Sequence, residues 1–386
     1  MIRVAARLLP VVSAALLLAA CAAPAAAPSG SGSATGAGAV APTAPARPTT
    51  APPAASAPTA APAAALDAPL SPPVTVTVGT LGLASDAAIY IAMDKGYFAA
   101  QGLDVQDTRF DAGARLIPAL AASQLDAGAG SPSAGLFNAL QRNIPIEIVG
   151  DKGRAGTDSS YMSLLVRKEL LDSGAIKDYA DFRGRKIASI ANDNSNVIQI
   201  DRMMRSVGLT YKDTEIVVLA GGDMIVALGN GSVDAGMVAE PIPTRAVAAG
   251  AAVRWKGSNE FYPDQQAAVL MYSPSFGKEK PEAARRFMLA YVQGLRTYYD
   301  AFFKSRNRAD VVQILTRYTS LTDPRLFDEM VPFAVDPDGG VNVQSLTDDL
   351  DWLVREGLVQ ERPDLSAHIN TSYVDYAVSK LGKYER

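Results

Sequence analysis

Leu125-Asp126-Ala127-Gly128-Ala129 and, further along the chain, Val233-Asp234-Ala235-Gly236-Met237 read almost alike. Ala-Leu precedes each at a similar distance (Ala119-Leu120 and Ala227-Leu228), and a proline follows each, in Ser131-Pro132 and Glu240-Pro241. Both stretches read as a helix end, a short turn, a buried strand and a loop that opens another helix. Asp111-Ala112-Gly113 repeats the tripeptide without the upstream match, so only the flanking spacing distinguishes the two long copies. Strands alternating with helices at this rhythm build parallel α/β units, whose ligands sit beyond the carboxyl ends of the strands. Two such lobes facing each other would trap a small molecule between them.

The neighbouring sequence extends both halves. Val74 to Val78 alternates and is β-branched, as a strand requires. Ser85 or Asp86 can cap a helix running to about Gln101; a strand follows from Leu103 to Phe110 and a helix from Ala114 to Ala122. Ser131 or Ser133 starts a helix ending near Arg142, and Ile146 to Val149 is the next strand. Tyr161 to Val166 reads as a strand leaving this lobe, and Ala267 to Tyr272 as one returning, which makes a two-stranded hinge. Between them, strands at Ile187–Ile190 and Ile216–Leu219 alternate with helices opening at Asn192–Asn196, Gly222-Asp223 and Pro241. The expected division is therefore 74–165 with 268–386 as lobe 1 plus C-terminal helices, and 166–267 as lobe 2. From Pro281 a long amphipathic helix carries Phe287, Tyr291, Leu295, Tyr298 and Phe302 on one stripe, a core-packing pattern.

The amino terminus indicates where the chain works. Residues 1–20 have a basic start (Arg3, Arg7), an apolar run and small residues at the end, the pattern of an export signal. Leu18-Ala19-Ala20-Cys21 resembles a bacterial lipobox, which implies lipidation of Cys21. Cys21 is the sole cysteine, so no intramolecular disulfide can form. Residues 21–73 are, after that cysteine, almost wholly Ala, Pro, Ser, Thr and Gly, a composition expected to form a disordered stalk.

Charge and composition exclude other classes. The formal net charge is −4, with both signs mixed and no basic stripe, so no nucleic-acid partner is expected. The single histidine, His368, has no neighbouring cluster that could hold zinc, and neither metal nor cofactor is expected.

Ile89-Tyr90-Ile91-Ala92-Met93-Asp94-Lys95-Gly96-Tyr97-Phe98, with Gly102-Leu103-Asp104-Val105 behind it, resembles the start of ABC-transporter substrate-binding proteins of the NMT1/THI5-like group (nitrate, sulfonate, taurine and thiamine precursors). Phe182-Arg183-Gly184-Arg185-Lys186-Ile187, Ala227 to Met237, Glu240-Pro241 and Ile369-Asn370-Thr371-Ser372-Tyr373 match later segments of that family. The resemblance implies a type 2 periplasmic-binding-protein fold, closure around a solute, and delivery to an ABC permease and its ATPase. The chain would act as a monomer that touches the membrane only through its lipid.

The strand-end loops give the candidate binding residues: Ser85, Asp86 and Tyr90, then Ser131, Pro132 and Ser133, in lobe 1. Lobe 2 contributes Asn192, Asn194, Ser195, Asn196, Gly222, Asp223 and Glu240. Helix amino termini there offer free N–H groups to an oxygen acceptor. In many members of the resembled family an acidic residue at the Glu240 position faces the cleft, where it could accept from an N–H donor; it could equally serve as a first-turn carboxylate. Those loops carry Asp86, Asp193, Asp223 and Glu240 but no basic residue, which favours a nitrogen-bearing or heteroaromatic solute over a strong anion. Tyr90, Tyr161 or Phe261 could stack on a ring. Two alternatives stand beside transport: a sensory module for a receptor, and a thiamine-pyrimidine-precursor synthase. The synthase members of the family use an active-site histidine and a cysteine-rich segment, which this chain does not match.

Overall fold

The computed structural model describes residues 67–110, 113–158 and 160–385. The export signal, Cys21 and most of the stalk lie outside the described residues.

Among the described residues, ten strands form two five-stranded sheets of matching topology. The first contains β1 (Val74–Thr80), β2 (Leu103–Arg109), β3 (Ala127–Gly130), β4 (Glu147–Arg154) and the late strand β10 (Gln266–Tyr272). The second contains β5 (Met162–Val166), β6 (Lys186–Ser189), β7 (Glu215–Val218), β8 (Ala235–Ala239) and β9 (Val253–Gly257). Their orders are β2-β1-β3-β10-β4 and β7-β6-β8-β5-β9. In each, three neighbouring strands run parallel and the incoming strand, β10 or β5, lies antiparallel to the strands on either side.

The repeat has one physical role in both lobes. Asp126 accepts the Thr77 N–H at 3.0 Å and returns its own N–H to Thr77 O at 2.9 Å. Asp234 does the same with Lys186, at 3.0 and 2.9 Å. Each aspartate thus ties the start of a central strand to its parallel neighbour. The glycine two residues on lets a helix press against the sheet: a Cβ at Gly128 would lie 3.0 Å from Leu116, and one at Gly236 would lie 2.8 Å from Met224.

Both sheets are covered on both faces, and the interior strands β5, β8 and β10 are apolar along most of their length. In β5, Leu164 packs with Phe182, Ile200 and Met203 on one side, while Leu165 packs with Met224, Leu228 and Ala246 on the other. The first sheet has the helices Ala87–Asp94, Pro281–Phe303 and Ser372–Leu381 on one face, and Gly113–Ala121, Ala134–Gln141 and Val343–Arg355 on the other.

The crossing points differ from the sequence reading. Strand β5 pairs with β8 along its whole length and with β9 from Ser163 on, so the chain leaves the first sheet before Met162. The return falls before Gln266, since β10 belongs wholly to the first sheet. The two crossing passages are laced by Ala155 N–H to Gln265 O (2.9 Å) and by the Ser160 and Ser258 hydroxyls (2.5 Å). The stalk also ends earlier than composition implies. Leu70 N–H reaches Gln101 O at 3.2 Å, Ala68 O accepts from Arg286 at 2.6 Å, and Asp67 pairs with Lys380 at 2.9 Å.

Candidate binding cleft

A cavity of about 100 Å³ opens between the sheets, walled by both lobes and by the crossing passage. Of the strand-end loop residues singled out in the sequence, five line it: Ser85 and Ser131 from lobe 1, and Ser195, Asn196 and Glu240 from lobe 2. The junctions between four strands (β1, β3, β6 and β8) and the helices after them converge here, because each follows a strand of a central parallel group.

The remaining candidates lie behind or beside the wall. Asp86 is buried; its Oδ2 accepts from Leu81 N–H (3.2 Å) and Leu83 N–H (2.9 Å), which holds the loop in shape. Tyr90 is fully buried, hydrogen-bonded to Thr80 at 2.9 Å and stacked on Tyr318, so it belongs to the core. Asn194 caps the helix Ser195–Arg205 by accepting the Asn196 N–H at 3.1 Å. Pro132, Ser133, Asn192, Gly222 and Asp223 are not among the lining residues; Asn192, Gly222 and Asp223 are solvent-exposed. Of the three aromatic candidates, Tyr161 lines the cavity, with its ring edge-on to Phe333 and its phenol proton held more tightly than usual because of burial. Phe261 packs edge-on to Tyr179 in the lobe 2 core.

Glu240 has a structural assignment. Its carboxylate pairs with Arg254, accepts the Thr244 N–H at 3.1 Å and accepts the Val331 N–H at 3.3 Å. The first-turn role is therefore filled, and Val331 adds a contact from lobe 2 to the C-terminal segment. A backbone-to-backbone bond, Ala134 N–H to Asp193 O at 3.3 Å, also joins the lobes.

Two features escaped the sequence reading. One is Lys152 in β4, buried in the cavity wall, with Nζ 3.1 Å from Ser85 Oγ and 3.0 Å from Asp86. The strand was expected to stop at Val149, whereas it runs on to Arg154 and turns Lys152 inward. The premise that the cleft has no basic group thus fails, and the Asp86 charge is matched. The other is an apolar wall supplied by the bracing helices: Tyr298 and Phe302 from Pro281–Phe303, Leu315 from Arg308–Tyr318, and Phe327 from the turn Leu326–Glu329. Met330 and Phe333 continue it. Helical periodicity marked Tyr298 and Phe302 as core; the proximity of all these side chains to the cleft depends on long-range packing.

The hinge side of the cleft carries a buried polar chain. Gln199 Nε2 donates to Gln265 Oε1 at 2.5 Å, Gln265 Nε2 donates to Asp349 at 2.9 Å, and Tyr262 OH donates to Asp349 at 2.7 Å. Burial pushes the Asp349 carboxyl up to about 7, against the hydrogen bonds from Tyr262 and Gln265. His368 sits apart, its Nδ1 3.1 Å from Ile146 O, and is not among the lining residues. No group of three or more metal-ligating side chains occurs among the described residues, and no helix there is long and apolar enough to cross a membrane.

Solved structures share this architecture. The alkanesulfonate-binding protein SsuA from Xanthomonas axonopodis pv. citri superposes with a TM-score of 0.62 at 17% identity, covering 78% of this chain and 100% of that one. The periplasmic nitrate-binding protein NrtA from Synechocystis PCC 6803 gives 0.65 at 14% identity, covering 82% and 90%. These likenesses establish the type 2 periplasmic-binding-protein fold. Among curated proteins, 4-amino-5-hydroxymethyl-2-methylpyrimidine phosphate synthase from Aspergillus parasiticus is 27% identical over 156 residues, 40% of this chain and 42% of that protein. The match spans about two fifths of that relative's length. A family profile described as "NMT1/THI5 like" matches residues 84–301, more than half of the sequence. The chain belongs to the NMT1/THI5-like family.

Proposed function

We propose that this protein is an extracytoplasmic solute-binding protein that captures a small organic molecule by lobe closure and delivers it to an ABC permease and its ATPase. The observation that carries the reading is the cavity, whose wall joins Ser85, Ser131 and Lys152 of one lobe to Ser195, Asn196 and Glu240 of the other. Closure of two domains around a ligand is a known switching motion of this kind of architecture. The names of the SsuA and NrtA neighbours support transport as the setting. Cys21 would carry the lipid that holds the monomeric protein on the outer face of the cytoplasmic membrane. The nitrogen-bearing solute expected from the loops loses its charge argument through Lys152, while the aromatic wall retains the case for an organic body over a bare inorganic ion.

The synthase reading has the Aspergillus likeness in its favour. The residues lining the cavity include neither histidine nor cysteine among those described. A mechanism resting on those groups would need them brought from elsewhere.

Thermal unfolding of the full chain in lipid nanodiscs, against amines, aminopyrimidines, carboxylates, sulfonates and nitrate, tests the reading. A bound solute raises the midpoint according to RT ln(1 + [L]/Kd). At least one class is expected to do so and to speed ATP hydrolysis by the reconstituted permease. Stabilisation without any effect on a permease would favour the sensory role. A flat response to every class would remove the binding reading.

A further inference from the structure

Asp349 stands where three bodies meet. These are its own helix Val343–Arg355, the returning passage with Tyr262 and Gln265, and the lobe 2 helix Ser195–Arg205 with Gln199. All four side chains are buried, and Asp349, Gln265 and Gln199 are 0% exposed. Through Gln265 and Gln199 the carboxyl is hydrogen-bonded into lobe 2, while its helix packs on Leu136 and Phe137 of lobe 1. The junction therefore ties both lobes to the hinge.

Its surroundings suit a neutral carboxyl better than a charged one. Arg202, the cation that acts on Asp349, pairs instead with Asp348 at 2.9 Å and lies over the Tyr262 ring, 4.1 Å from its centroid. A buried carboxylate without a paired cation is costly. A neutral carboxyl is served with only protons moved. Its O–H on Oδ1 donates to the Tyr262 oxygen 2.7 Å away, and Oδ2 accepts from Gln265 Nε2 at 2.9 Å. The Tyr262 proton then turns towards Ser345 O, at 3.4 Å. Other charges on the surrounding elements are matched elsewhere: Asp201 by Arg205 and Arg355 (2.5 and 3.2 Å), Asp264 by Arg154 (3.2 Å) and Glu260 by Lys256 (2.7 Å). Asp151 lies beyond Gln266, which donates to it at 2.6 Å. Asp348 adds a like charge from the same helix, and Ala134–Gln141, packed against that helix, carries no ionisable side chain. Burial accordingly pushes the Asp349 carboxyl up to about 7.

We propose that Asp349 is a proton-operated latch on the hinge. Protonated, it holds the helix Val343–Arg355 against the passage and lobe 2; ionised, it draws water into the junction and frees the lobes to turn. The sign follows from linkage: a carboxyl that holds its proton more tightly in the packed junction favours the loosened junction once that proton is lost. The latch needs only the two-lobe architecture and is independent of the solute that the cleft takes.

Trp352 reports on the junction directly. It lies one turn from Asp349 on the same helix and is 3% exposed. Its ring meets Tyr211 of lobe 2 at 5.4 Å between centroids, and its Nε1–H donates to Asp201 at 2.8 Å. The chain has two tryptophans, so Trp255→Phe leaves Trp352 as the sole emitter. In that full chain in nanodiscs, emission is expected to shift to the red and acrylamide quenching to rise from about pH 6 to about pH 8, with far-ultraviolet dichroism unchanged. Asp349→Asn, whose amide can donate to Tyr262 and accept from Gln265 as the neutral acid does, should keep the low-pH spectrum throughout. Asp348→Asn removes the like charge and should move the transition to lower pH, which a loss of packing alone would not do. The same titrations on chains that keep Trp255 read the change over a constant background if Trp255→Phe does not fold. If Asp349→Asn does not fold, the Asp348→Asn shift decides. Emission independent of pH in the parent chain would overturn the latch, as would a transition that either aspartate substitution leaves in place.

Discussion

Lys152 shows what a single residue does to the interpretation of a site. With Asp86 it forms an ion pair at 3.0 Å, both side chains nearly inaccessible. Removing one member leaves the other buried and uncompensated, which costs about 3–5 kcal/mol. Lys152→Met is therefore expected to lower the denaturant midpoint sharply, and adding Asp86→Asn should restore much of it. Asp349 gives a pH signature. Its folded carboxyl titrates near 7, against an ordinary value of 3.8, because burial disfavours the charge. The folded chain then holds a proton that the unfolded chain has released, so stability falls as pH rises from about 4 to 7, by at most about 1.4 kcal/mol per pH unit. Tyr262, Arg202 and Asp348 are the ionisable groups acting on it. Asp349→Asn should flatten that slope in pH-dependent urea titrations; an unchanged slope would assign the effect elsewhere. Glu240→Gln, by contrast, should lower stability by roughly 1–3 kcal/mol, because its oxygens serve Arg254, Thr244 and Val331. Lys152 was hard to find in the sequence, since Gly150-Asp151-Lys152-Gly153 has the polarity and glycine content of a loop. Only the pairing of β4 with β10 shows that this stretch continues as a strand.

At the scale of elements, the long helix Pro281–Phe303 holds the first lobe together. It crosses Ala87–Asp94 so closely that a Cβ on Gly294 would collide with the Ala88 carbonyl oxygen. Backbone cannot yield there as a side chain can, so Gly294→Ala is expected to cost 1–3 kcal/mol or more by calorimetry. Ser195, Asn196, Ser131 and Ser85 were legible because strand-to-helix loops carry local signals, namely small polar residues after an apolar run. Short elements were less legible. Lys168–Asp172 and Phe276–Glu279 are too brief to show a period, and the first helix breaks at Gly96, which adopts a left-handed conformation with φ of 72°. The Asp-Ala-Gly repeat was legible because the same geometric demand, a tied strand start and a helix pressed on glycine, arises twice. The apolar end of the cavity was not, since its members come from three separate stretches and look like ordinary core.

For the whole molecule, the expected motion is rotation of one lobe about the passages 155–161 and 258–265. Small-angle scattering should show a smaller radius of gyration when a stabilising solute is added, and no change would argue for a static cleft. The helix Val343–Arg355 is a third tie between the lobes. It packs on Leu136 and Phe137 of one lobe and on Val197 and Ile198 of the other. Its polar side meets lobe 2 through Arg202–Asp348 at 2.9 Å and Arg355–Asp201 at 3.2 Å, and Lys212 reaches Glu356 just beyond its end at 2.6 Å. Arg202, Arg355 and Lys212 are all partly open to solvent, so dissolved ions can screen these attractions, with a Debye length of about 8 Å at physiological strength and about 3 Å at 1 M. On the extracytoplasmic reading proposed above, the protein meets whatever brine surrounds the cell. Its resting aperture, and with it the readiness to accept cargo, would then drift with the saltiness of the medium.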